Sequence, residues 1–164
     1  MPELTVLDEK LAEVLGLAQA AAQAGKKVGT LAKREKDADL VSLMDRMVRD
    51  SGKIAAECEK VAATRDGLKT AITKKARETK AEVADFMKTY LEGGDALDGL
   101  EFLSMAEAGE LAHWEILATL NETAGDKRIA KLVTAALPIE RGHVAAVRAH
   151  ALRLAAEEDP SEDA

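Results

Sequence analysis

Glu107, Glu110, Glu140, His143 and His150 all fall at positions that should face inward on the last two helices of this chain. An ionised side chain on an apolar helix face loses its hydration, and it persists there only when paired, neutralised or bound to a cation. His113 completes Glu-x-x-His after Glu110, as His143 does after Glu140. Residues three apart on a helix present their side chains to the same side. Carboxylate and imidazole donors without a thiolate suit iron or manganese, and they admit zinc. The candidate ligand set is therefore Glu107, Glu110, His113, Glu140 and His143. The metal-free alternative is a buried network in which acids and imidazoles share protons.

The elements that position these groups follow from periodicity. From 95 to 121, Leu100, Leu103, Glu107, Glu110, Trp114, Leu117 and Asn121 alternate steps of three and four, one stripe of an α-helix. From 126 onward, Ile129, Val133, Ala136, Glu140, His143, Val147, His150 and Leu154 do the same. The joining segment 122–127 offers Gly125 for a left-handed helix end and Asp126 for an N-cap, so the two helices should pack antiparallel. Residues equidistant from the turn then lie level, which sets Glu110 opposite Glu140 and Glu107 opposite His143, on levels about 4.5 Å apart. Two level carboxylates repel unless a cation or a shared proton intervenes. Trp114 reads as a core anchor beside them, and Glu101 and Glu115 as solvated. Pro138 removes one backbone bond and predicts a kink near Glu140.

Three earlier helices complete the pattern. The first, 4–34, carries a stripe of small residues through Ala18, Ala21 and Gly25, with Gly25 and Gly29 expected to fray or bend it. The second, 37–65, runs through Leu40, Met44, Met47, Ser51, Ile54 and Cys58 from a capping Asp37. The third, 67–92, has a thinner apolar stripe and many solvated lysines, and reads as a helix outside the main core. A helix of about 25 residues spans roughly 37 Å, enough to return the chain across a bundle. The expected architecture is all-α: an antiparallel four-helix bundle with an additional helical crossover segment between bundle helices 2 and 3.

Composition agrees. The chain has 164 residues, 47% hydrophobic, 2% aromatic and 32% charged, and it shows no strand signal. One domain is expected over 1–156, followed by an acidic, disordered tail over 157–164. That tail holds five of the acidic residues behind the net charge of −7 and leaves the rest at −2. This balance gives no reason to expect nucleic-acid binding. No secretory signal or membrane span is expected, and the single Cys58 reads as a core residue of a cytoplasmic protein. Nucleophilic catalysis finds no support, because there is no Gly-x-Ser-x-Gly elbow and no phosphate-binding glycine loop. The small-residue stripe of the first helix would let two copies pair as a homodimer.

The stretch 105–120, followed by Ala-Leu-Pro-Ile-Glu-Arg-Gly-His over 136–143, resembles the second half of the ferritin-like superfamily, in particular its YciE/YciF-like branch. The resemblance covers about 100–154. It implies a ferritin-like bundle holding one or two iron or manganese ions between carboxylates. Iron oxidation of the ferroxidase type at a di-metal carboxylate centre, iron storage and a stress role are the functions it brings. Glu107 or Glu110 would be the bridging carboxylate, and Glu140 with His143 the Glu-x-x-His of the last helix. The chain departs from that pattern in its first half. The family takes a Glu from the first helix and a Glu-x-x-His from the second, where this chain has Gln19 and Gln23, with Glu9 and Glu13 nearer the start, and Val48 and Ser51. Either the last two helices bind metal alone, or a second subunit adds ligands, or the bundle is a metal-free scaffold.

Overall fold

The computed structural model describes residues 2–162, so Met1 of the expected domain and Asp163 and Ala164 of the expected tail lie outside the described residues. The described chain is all-helical: α1 (Val6–Arg34), α2 (Ala38–Ala62), α3 (Lys69–Leu91), α4 (Ala96–Ala124) and α5 (Lys127–Glu157). Short polar caps set most of the starts. Thr5 accepts the Asp8 N–H at 3.1 Å, Asp37 accepts that of Leu40 at 2.9 Å, and Asp126 accepts those of Arg128 and Ile129. Asp95 and Asp98 form a reciprocal capping box at the head of α4. Only α3 begins without a side-chain cap.

α1 packs against α2, α3 and α4, and α5 packs against α4 and α2. Contacts at the two ends fix the directions. Arg34 donates to the Gly94 carbonyl and Glu35 accepts the Ala96 N–H, which joins the end of α1 to the start of α4. Arg153 reaches Asp37, joining the end of α5 to the start of α2. At the opposite end Arg65 bridges Asp8 and Asp126. α3 therefore carries the chain from one end of the bundle to the other, along the flank of α1.

Gly25 and Gly29 neither fray nor interrupt α1, which is continuous. They are where α2 comes close: a Cβ on Gly25 would stand 2.9 Å from Val48, and one on Gly29 3.4 Å from Met44. Likewise α5 continues through Pro138. α4 runs three residues past the expected end at 121 and leaves a turn of only Gly125 and Asp126. Gly125 takes φ 66°, and Asn121 clasps the turn by donating to the Asp126 carbonyl and accepting the Asp126 N–H. Glu157 closes α5, and Asp159 holds the Ser161 N–H and hydroxyl in a turn.

The core divides in two. One apolar cluster gathers Leu11, Leu15, Ile54, Cys58, Ile72, Trp114, Leu117 and Ile129. The other gathers Val28, Leu40, Met44, Met47, Leu100, Leu103 and Val147. Between them, at mid-height on α4 and α5, lie the buried polar residues Glu107, Glu110, Glu140 and His143. On α2 the same interval, between Met47 and Ile54, holds Asp50 and the buried Ser51. No helix among the described residues is long and apolar enough to cross a membrane.

Candidate metal centre

The α4–α5 hairpin brings its stripes face to face. Every α4 stripe residue from Leu100 to Asn121 is buried, as are those of α5 from Ile129 to Val147. Glu107, Glu140 and His143 are 1%, 1% and 3% exposed. Each offers a donor atom, and the three donors lie within 4.8 Å of one another. Donors on opposite sides of one ion stand roughly 4 to 5 Å apart, so the group has the dimensions of a single-ion site. The expected level pairing of Glu107 with His143 is present: carboxylate Oε2 lies 3.4 Å from ring Nδ1.

The donors are poorly satisfied by protein. Both oxygens of Glu107, both of Glu140, Oε1 of Glu110 and Nδ1 of His143 are buried without a hydrogen-bond partner. Buried polar atoms are normally paired, because an unpaired one forfeits its hydration with no return. Several orphans converging on one point fit a cation.

Electrostatics point the same way. Burial, then the charges of Glu140 and Glu107, push the Glu110 carboxyl well above the usual carboxylate range. Glu140 is pushed up to about 8, first by burial and then by Glu107, against the opposing pull of His143. Burial would lower His143, but Glu107, Glu140 and Asp50 outweigh it and raise the imidazole above its ordinary value. The Cys58 thiol on α2 is driven up by burial and then by Glu110 and Glu140, so it stays protonated.

Glu110 borders this group one turn along α4 without joining the three convergent donors. His113 turns elsewhere. It sits one step off the stripe and points to α1, where Nδ1 lies 3.3 Å from Glu13 and 3.2 Å from Lys10, itself paired with Glu13. Burial and then Lys10 lower its basicity, with Glu13 opposing. His150, half-buried near the end of α5, meets Arg153. Glu101 and Glu115 are exposed as expected.

The residue that sequence reasoning passed over is Asp50. From α2 its Oδ2 lies 3.3 Å from His143 Nε2, so His143 spans from Glu107 to Asp50. The available signal was the neighbouring Ser51, a polar residue inside an apolar seam. It marked the height at which α2 meets the acids. α1 passes that height with Ala20, Ala21 and Ala24 and brings no carboxylate to the group. Comparison with protein-family models, with curated proteins and with solved structures finds no match to this chain.

Proposed function

We propose that this chain is a metal-binding helical-bundle protein that holds a divalent ion on Glu107, Glu140 and His143, with Glu110 alongside. The carrying observation is the convergence of buried, unpartnered donors in a layer that separates two apolar cores. Their oxygen and nitrogen chemistry favours iron or manganese and admits zinc. A ferritin-like bundle is the architecture this reading adopts, and it draws support from a third helix that returns the chain along the flank of α1. Bound iron or manganese would supply one-electron redox chemistry, and zinc Lewis acidity. The residues themselves hold the ion in a dry interior, orient His143 through Asp50, and place Glu110, its acidity weakened by burial, at the margin. Metal oxidation of the ferroxidase type, storage and a stress role are the family functions compatible with such a site.

Elemental analysis of protein purified without a histidine tag should find iron or manganese near stoichiometry. Stripping with chelator should lower the melting temperature and reloading restore it, the bound ion adding about 2.7 kcal/mol of stability at a hundredfold excess over Kd. Glu107→Gln and His143→Ala should remove that increment. No metal after aerobic loading, together with an unchanged melting temperature, sinks the reading.

One observation favours a metal-free scaffold instead: burial and neighbouring acids push the Glu110 and Glu140 carboxyls toward their uncharged form, so the layer can shed charge without an ion. On that reading Glu110→Leu stabilises the protein, since an apolar replacement of a buried acid is often favourable.

A further inference from the structure

A groove of about 180 Å³ opens between α1, α3 and α4. Small residues make the space: Ala20, Ala21 and Ala24 on one wall and Gly109 on another. A Cβ built on Gly109 would meet no atom within 4 Å, so this wall faces room rather than a neighbour. Phe86 and Met105, both about half-exposed, flank the mouth. The lining is apolar except for His113 and for Glu110, a residue 2% exposed whose carboxyl lies beside the Trp114 indole and whose Oε1 has no hydrogen-bond partner among the described residues.

We infer that this groove binds a small uncharged hydroxyl compound, a phenol or an alcohol with a ring-sized apolar body, whose hydroxyl hydrogen-bonds to Glu110. Size argues for one ring, since an apolar cavity of about 150 Å³ takes benzene. Chemistry argues for the hydroxyl. It donates to a carboxylate and accepts from a carboxylic acid, so it satisfies Glu110 in either protonation state. A carboxylate ligand would face Glu110, with Glu107 and Glu140 behind it, and is disfavoured. The inference stands whether or not an ion sits on Glu107, Glu140 and His143.

The test uses the full chain, chelator-stripped and metal-loaded, with ¹⁹F NMR titrations of 4-fluorophenol, fluorobenzene and 4-fluorobenzoate. In both preparations 4-fluorophenol should bind saturably, roughly five- to tenfold tighter than fluorobenzene, the value of one hydrogen bond. The benzoate should be weakest. Gly109→Leu, which fills the wall and replaces a mid-helix glycine with a good helix former, should abolish binding while the metal content stays as in the parent. Glu110→Leu should bring 4-fluorophenol down to the level of fluorobenzene. Equal binding of the phenol and fluorobenzene overturns the inference, as does binding that survives Gly109→Leu. A homodimer in sedimentation that Gly109→Leu dissociates also overturns it, since the groove would then be a subunit contact. Metal content, measured separately, reports on the metal site alone.

Discussion

Asp50 reaches His143 at Nε2, which leaves Nδ1 facing Glu107 and the centre of the donor group. A carboxylate on the outer nitrogen fixes that N–H and makes the inner nitrogen the metal ligand. Asp50 is thus a positioning residue. Asp50→Asn should weaken metal affinity roughly tenfold or more. The metal-free melting temperature should scarcely move, because Asp50 is partly exposed. Competition against a chelator of known affinity measures this, and unchanged affinity would remove the role. At this level the sequence was most informative on α4 and α5, where an acid inside an apolar stripe is conspicuous. Asp50 was not legible, because it lies beside its seam rather than on it. His113 misdirected the reading for a related reason. Glu-x-x-His brings both side chains to the core only when both lie on the apolar stripe, as Glu140 and His143 do; His113 lies one step off it and faces Glu13 of α1.

Helix contacts depend on where backbone is allowed to come close. A Cβ on Gly16 would lie 2.4 Å from the Ala76 carbonyl oxygen, a backbone atom of α3 that cannot step aside. Gly16→Ala should therefore cost about 1 to 3 kcal/mol, the range for overpacking. Gly109→Ala, facing open space on the same kind of helix, should stabilise by about 0.5 to 1 kcal/mol. Paired thermal or urea melts check the contrast, and equal signs would contradict the close approach of α1 and α3. Element identities were readable from periodicity and caps, and each helix was expected within a few residues of its place. The uses of Gly25 and Gly29 were not readable. A glycine that bends a helix and one that admits a neighbour look alike until the partner's position is known.

Across the molecule, the buried acids make stability depend on pH and on metal in opposite senses. Glu140, Glu110 and His143 have folded-state pKa values raised above their ordinary ones. Such groups contribute stability that is fully present below the unfolded pKa and lost as pH rises through the folded one. For Glu140 that window runs from 4.5 to about 8. Chelator-stripped protein should therefore melt progressively lower from pH 5 to 8.5. Asp37 and Asp126 are held low, against burial, chiefly by Arg153 and by the α5 N-cap bonds with Arg65. Their contribution fades only on the acid side of this window. Metal needs deprotonated ligands, so its stabilisation should grow over the same range. Melting curves at several pH values, with and without manganese, would show it, and a flat metal-free profile would contradict it. The helical bundle and the level pairing of Glu107 with His143 were legible in the chain, whereas Glu140 converges with Glu107 and His143 and leaves Glu110 outside the group. The division of the core was not, because it emerges only when the polar intervals of three helices are brought to one height.

That division gives the bundle a waist. Dry packing holds each half by itself, while the narrow belt between them offers uncompensated acids where cohesion should be. Whatever neutralises the belt, ion or proton, acts as a rivet between two oily plugs that the unbroken helices already thread together.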